Sequence, residues 1–336
     1  MSSSTARRII RRSGKALLWS VVVLLVLAIV GAIYQAIATE LAERAYPPPG
    51  EMVDVGGYSL HINCVGQGSP TVLLDAGLGE FSAQWVRVQR EVSDTTRVCA
   101  YDRAGMGWSE MGPEPRDAKQ ITSELHTLLN KAGIEGPYVL VGHSLGGLSM
   151  LTYAARYPDE VAGVALVDSS TEPDQFSQRS EARESHEAQK HNFAVVPQLV
   201  QLGVSLLARL GVVRLLSKLD PASPELPPQQ RAQIDALTPS TRGVSTYALE
   251  FLAPTQSRRL ESLGNKPLAV VTAGKSEPSW LKRQDKLATL SSNSIHRVVK
   301  GATHESLLYD RSDSQATSAA IVEVVASVRN DRSLAR

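Results

Sequence analysis

The sequence predicts an α/β fold, an open and mostly parallel sheet covered by helices on both faces, preceded by one N-terminal transmembrane helix. Three observations predict it. The 23 residues from Ala16 to Ala38 carry no charged side chain. Beyond Glu51, short β-branched runs alternate with longer helical stretches, which is the pattern of a parallel sheet covered on both faces. Between one such run and the next helix lies Gly142-His143-Ser144-Leu145-Gly146, a Gly-x-Ser-x-Gly turn in the strand-to-helix context that gives the motif chemical meaning.

The N-terminal segment comes first. Residues 1–15 hold Arg7, Arg8, Arg11, Arg12 and Lys15 and no acid, so the whole-chain charge of +1 conceals +5 there and −4 in the remainder. At about 1.5 Å per residue the uncharged run spans roughly 34 Å, enough to cross a ~30 Å hydrocarbon core. Trp19 and Tyr34 sit near its two ends, where amphipathic rings favour the headgroup region. The basic cluster before the span places residues 1–15 in the cytoplasm as a tail and the bulk of the chain on the extracytoplasmic side. A cleaved leader is the alternative, with Ala36-Ile37-Ala38 as a small-residue site and a secreted product. The apolar run from Leu17 to Ile33 is longer than the ~7–15 residues of a leader core. Residues 39–50, with Pro47-Pro48-Pro49, read as a stiff spacer. The near-zero net charge excludes a nucleic-acid footprint, and the 43% hydrophobic content excludes a disordered chain.

From Glu51 the strands follow in order. Met52–Val55 and Tyr58–Val65, joined at Gly56-Gly57, read as a hairpin. Thr71–Leu74, Arg97–Tyr101, Tyr138–Val141, Val161–Val167, Leu268–Thr272 and Ile295–Val299 are further strands. Helices are predicted at Ser82–Val92, Ala118–Ala132, Leu145–Tyr157 and Gln315–Val328. At the Gly-x-Ser-x-Gly turn, side chains two residues either side of Ser144 would not fit. The turn lifts the hydroxyl above the sheet beside a helix N-terminus, where the Leu145 amide is placed to stabilise an oxyanion. A phosphate-binding loop would need Gly-Lys-Ser/Thr at this turn, and Gly146-Gly147-Leu148 stands there instead.

With this motif the chain resembles the α/β-hydrolase superfamily, which implies an eight-stranded sheet. Asp75-Ala76-Gly77-Leu78 occupies the place of the loop that supplies the second oxyanion amide, so the resemblance implies Leu78 in that role. Asp102-Arg103-Ala104-Gly105-Met106-Gly107-Trp108-Ser109 is similar to a structural turn of the family, with Asp102 and Arg103 expected as a loop-fixing ion pair. A serine hydroxyl needs a neighbouring base. His61, His126, His296, His186 and His191 read as surface or packing residues, and His143 lies within the elbow pointing away from the active face. His304 follows the last predicted strand, where the superfamily places its general base. For the acid that holds the imidazole, Asp168 at the end of the sixth strand is favoured and Glu277 after the seventh is the alternative.

The stretch 171–266 is too long for a plain connection, and the resemblance implies a helical cap over the nucleophile within a hydrolase domain spanning 51–336. Phe193–Leu219 is notably apolar and reads either as an ordinary cap helix packed on the domain, which is favoured, or as one lining an acyl or aryl pocket and resting on the membrane. A second span is disfavoured by Pro197 and Arg209 within it. Cys64 and Cys99 fall on strands that neighbour one another in the superfamily's sheet order, leaving open either a disulfide or two buried thiols. No metal-ligand cluster or dinucleotide fingerprint occurs, so no cofactor and no metal are expected. The expected activity is that of a membrane-anchored serine hydrolase. It would cleave an ester-like bond, with a small-molecule acyl substrate and the lipid bilayer as partners and oligomeric state open. A non-catalytic membrane-tethered binding protein is the alternative from another class. Peptidase, cofactor-free haloperoxidase and carbon–carbon hydrolase chemistry also remain open on this fold.

Overall fold

The computed structural model describes residues 3–170, 195–253 and 260–334. His186 and His191 lie outside the described residues. Eight strands, β1 (Glu51–Asp54), β2 (Ser59–Val65), β3 (Thr71–Asp75), β4 (Val98–Tyr101), β5 (Tyr138–His143), β6 (Val161–Val167), β7 (Leu268–Ala273) and β8 (Ser294–Val299), form one sheet. Their order is β1-β2-β4-β3-β5-β6-β7-β8. The pairs β1–β2 and β2–β4 are antiparallel, and every other pair is parallel.

Residue alternation explains how the sheet is covered. Side chains in a strand point to opposite faces in turn. Val139 and Val141 of β5 face one way, into a core shared with Val88 and Val92 of α2 (Val86–Ser93) and Ile321, Val324 and Val325 of the C-terminal helix. Leu140 faces the other way, into a core with Leu125 and Leu128 of α3 (Ala118–Lys131) and Met150 and Tyr153 of α4 (Leu145–Arg156). With both faces buried, β3, β5 and β7 have no polar side, which is why they read as continuous apolar runs. The helix expected at Ser82–Val92 begins as a 3₁₀ turn, Ser82–Trp85, before α2. Cys64 and Cys99 stand directly opposite in the β2–β4 register and are disulfide-bonded.

Between β6 and β7 the described residues form four helices: α5 (Val195–Arg209), α6 (Val212–Ser217), α7 (Pro228–Leu237) and α8 (Thr241–Leu252). Beyond β7 come α9 (Pro278–Ala288), the short α10 (Ser306–Tyr309) and the C-terminal α11 (Arg311–Asn330).

The first helix, α1, runs from Ser3 to Ala45, so the spacer expected over residues 39–50 is helical through Ala45. The reason is tertiary packing. Ala42 is buried, and the buried Gln35 amide donates to the Pro239 carbonyl at 2.9 Å and accepts from Arg214 Nε at 2.9 Å. Arg214 Nη2 also donates to Thr39 Oγ1 at 3.3 Å, and Trp108 Nε1 donates to the Tyr46 carbonyl at 2.8 Å. Upstream of this docked turn, Leu17 to Ile33 are covered by no part of the protein along most of their length, and the helix is long and apolar enough to cross a membrane.

Candidate active site

The candidate residues converge outside the carboxyl ends of the parallel strands. Ser144 stands between the end of β5 and the start of α4, with φ 51° and ψ −120°. That conformation is costly for a non-glycine residue, on the order of 1–3 kcal/mol, and it is held by its surroundings. The Ser144 N–H donates to the Val167 carbonyl at 3.2 Å, and its carbonyl accepts from Ser170 N at 2.9 Å and Gly147 N at 3.1 Å. The two glycines are steric necessities: a Cβ on Gly142 would strike the Gly146–Gly147 backbone, and one on Gly146 would strike the Asp75 carbonyl. That second contact places the elbow directly against the loop containing Leu78.

Asp168 follows β6 in a left-handed conformation, φ 42°, and is 1% exposed. Its Oδ1 accepts from Ala273 N at 3.1 Å and Trp280 Nε1 at 2.8 Å, and its Oδ2 is 2.6 Å from His304 Nδ1. Burial alone would raise the Asp168 pKa, but the His304 and Trp280 hydrogen bonds, the His304 charge and the Ala273 amide together hold it below the usual carboxylate value. An anion there keeps the His304 proton on Nδ1 and leaves Nε2 free to accept. The His304 side chain is 41% exposed, so the ring is open on its far side. Glu277 is exposed, stands at the N-cap position of α9 without a side-chain cap hydrogen bond, and makes no hydrogen bond or ion pair with His304 among the described residues. Trp280, three residues further on, carries no motif and was not among the expected residues.

His143 is buried, with its ring centre 4.4 Å from that of His304. Its Nδ1 is 2.9 Å from Glu80 Oε2, and its Nε2 is 3.1 Å from the His304 carbonyl. Acceptors at both ring nitrogens suit the protonated ring. Burial works against charge on His143, yet the Glu80 carboxylate beside it outweighs burial and raises its pKa. Burial would raise Glu80 as well, but the His143 charge, the Tyr309 hydroxyl and the Gly77 amide bring it down to about 2. Glu80 Oε2 accepts from Gly77 N at 2.7 Å and Oε1 from Tyr309 Oη at 2.5 Å. One carboxylate therefore joins the Leu78 loop, the elbow and, through His143, the His304 loop.

The Leu78 loop is held from below by Arg103, whose guanidinium donates to the Ala76 and Gly77 carbonyls at 2.6 and 2.7 Å. Arg103 also pairs with Asp75 at 2.8 Å and with Glu250 of α8 at 2.8 Å. The expected Asp102–Arg103 ion pair is therefore corrected. Adjacent side chains diverge, and Asp102 instead pairs with His61 at 3.0 Å and accepts from Ser82 N and Trp108 N. His61 is fully buried and bonds the Pro49 carbonyl, while His126 pairs with Glu160 and His296 with Thr272 and Asp285. Among the described residues, neither the Leu78 nor the Leu145 N–H is hydrogen-bonded. Leu145 opens α4, where the first N–H groups lack intrahelical acceptors.

Beside this loop lies a cavity of about 300 Å³, lined by Gly79, Phe81 and Met106 below and by Val204, Val213 and Tyr247 of the insertion above. Its walls are almost entirely apolar, so it suits a hydrocarbon chain or ring. Among the described residues no cluster of side chains has the composition of a metal site.

These features define an α/β-hydrolase. The family model for the alpha/beta hydrolase fold matches residues 70–310, and the chain belongs to that family. It is 29% identical over 233 residues to an uncharacterized protein of Schizosaccharomyces pombe, covering 66% of this chain and 40% of that one. It is 32% identical over 130 residues to an uncharacterized vacuolar membrane protein of Saccharomyces cerevisiae, covering 33% and 20%. The chain spans less than half the length of the first curated relatives it matches. Among solved structures, a thermophilic esterase from Thermogutta terrifontis superposes with a TM-score of 0.59 at 22% identity, covering 83% of this chain and 98% of that one. At that identity the likeness is one of fold.

Proposed function

We propose that this chain is a membrane-anchored serine hydrolase acting on an ester-like bond through an acyl-enzyme on Ser144. The observation that carries the reading is the 2.6 Å contact between His304 and the buried Asp168, together with the strained elbow conformation of Ser144 at the end of the neighbouring strand β5. In this reading Ser144 Oγ attacks the carbonyl carbon while His304 Nε2 takes its proton. The tetrahedral oxyanion rests on the Leu78 and Leu145 N–H groups. His304 then returns the proton to the leaving oxygen as the carbon–oxygen bond breaks. Water, deprotonated by the same nitrogen, releases the acid and frees Ser144. Asp168, rather than Glu277, fixes the imidazole tautomer. The apolar cavity receives the acyl or alkyl part of a small-molecule substrate.

Residues 16–38 anchor the protein in the bilayer, with residues 1–15 cytoplasmic and the hydrolase domain, 51–336 with its cap insertion near 171–266, on the far side. The Cys64–Cys99 disulfide supports an oxidising compartment for that domain.

Hydrolysis of nitrophenyl esters of increasing acyl length by the full-length protein in detergent tests the reading. Ser144→Ala is expected to lose roughly 10⁵–10⁶-fold in kcat and Asp168→Asn about 10⁴-fold, while Glu277→Gln stays near the parent. A Ser144→Ala protein as active as the parent contradicts the nucleophile, and an Asp168→Asn protein that keeps its rate contradicts the acid.

A further inference from the structure

Helix α5 carries its polar side chains, Gln198, Gln201, Ser205 and Arg209, on one stripe and is apolar around the rest of its circumference. Its inner side supplies Val204 to the cavity and buries Ala208, yet its outer side exposes Leu199 (60%), Leu202 (66%) and Leu206 (56%) at helical spacing. Helix α6 and the residue beyond it continue this surface with Leu215, Leu216 and Leu219, the last 82% exposed. An apolar arc this wide needs cover from protein or from lipid, and the protein leaves its outer part exposed.

The place of this face relative to α1 identifies the cover. Where α5 meets α6, the Leu210 carbonyl lies so close to Gly31 that a Cβ there would strike it. Gly211 packs against the Tyr34 ring, and Lys218 Nζ lies 5.9 Å from the centre of that ring. Gly31 is inside the uncharged run that ends at Ala38. At 1.5 Å per residue, the seven residue steps from Gly31 to Ala38 set the α5–α6 junction about 10 Å below the end of the apolar run. That is the depth of an interfacial helix, roughly 5–10 Å into the boundary between headgroups and acyl chains. Charge agrees with depth: from Val195 to Leu219 the only ionisable side chains are Arg209, Arg214 and Lys218, with no acid. Arg214 is buried, whereas Arg209 and Lys218 are exposed and free to meet anionic headgroups.

We propose that the outer face of α5 and α6 lies in the lipid bilayer, in the leaflet at the C-terminal end of α1, so that the cavity behind α5 takes its acyl substrate from the membrane. The proposal rests on the reading of α1 as a membrane span. Because Val204 lines the cavity while the leucines of the same helix face lipid, one helix separates the bilayer from the site.

Tryptophan quenching in vesicles of brominated phosphatidylcholine and phosphatidylglycerol tests it on the full-length protein. The emission added by Leu206→Trp is expected to be mostly quenched. That of Val298→Trp, on exposed β8, is expected to persist. Trp19, read from the loss in Trp19→Phe, reports the span independently. A quenched Trp19 with a bright Leu206→Trp overturns the cap proposal and leaves the span standing; if both stay bright, both fall. A second copy or a soluble partner covering the face would likewise leave Leu206→Trp bright. The double variant Leu206→Glu and Leu215→Glu, remote from the cavity lining, should lose on the order of tenfold in rate on a long-chain ester dissolved in the bilayer. It should retain its rate on a soluble short-chain ester. An undiminished rate on the bilayer ester overturns the proposal.

Discussion

Ser144 occupies a backbone conformation that only its neighbours make tolerable, which makes strain at this position measurable. Ser144→Gly removes the Cβ responsible, and even after the greater chain entropy of glycine about 1 kcal/mol of stability should be gained while activity is lost. A higher thermal midpoint checks this, and an unchanged or lower one argues against strain. Glu80 offers a second residue-level test. Its folded pKa of about 2 lies below its ordinary 4.5, so its contribution to stability is full above pH 4.5 and disappears as pH falls from there towards 2. His143, whose pKa is raised, contributes below its ordinary value and loses that contribution as pH rises through the raised one. Denaturation of Glu80→Gln against pH should therefore show a flatter acid limb than the parent between pH 4.5 and 2. A limb as steep as the parent's would mean the Glu80–His143 pair contributes nothing. Sequence alone reached Ser144 and His304 because a local motif and chain order pointed to them. Glu80, Arg103–Glu250 and Trp280–Asp168 were illegible because their partners lie 63, 147 and 112 residues away. Nothing local in such a pair distinguishes a buried carboxylate from a solvated one.

Among the elements, α1 departs furthest from its sequence pattern. Hydropathy places its apolar run at Ala16–Ala38, but hydropathy cannot register that Gln35, Thr39 and Ala42 dock onto the insertion, because two of the three are polar. The sheet was more legible. Continuous β-branched runs require burial on both faces, and β3 to β8 form the parallel part. The docked turn predicts that α1 contributes to the stability of the folded domain. A protein lacking residues 1–50 loses Gln35 and Thr39 from Arg214 and Tyr46 from Trp108, leaving a buried guanidinium with the Ala236 carbonyl alone from that set. Leaving buried donors of a charged group without acceptors costs about 1–3 kcal/mol or more. Removal of residues 1–30 instead, which keeps those contacts, should therefore give a clearly higher thermal midpoint than removal of residues 1–50. Equal midpoints would show that the docked turn adds no stability.

For the molecule as a whole, the +1 net charge is a cancellation across a candidate membrane span, and 43% hydrophobicity is divided between a protein core and an exposed apolar surface. The two ends of the insertion serve different neighbours: Glu250 of α8 joins it to Arg103 beneath the Leu78 loop, and Leu210 joins it to α1. Helix α1, the insertion and the Leu78 loop are thus one connected body, and in the proposed reading an acyl chain leaves the bilayer past the insertion to reach Ser144. That path has meaning only if Ser144 is a nucleophile. Treating the folded full-length protein with a fluorophosphonate and mapping the adduct by peptide mass spectrometry decides this directly. A single adduct on Ser144, absent from Ser144→Ala and formed far more slowly in Asp168→Asn, is the predicted result. A folded protein that takes no adduct, or takes it at another residue, would contradict it.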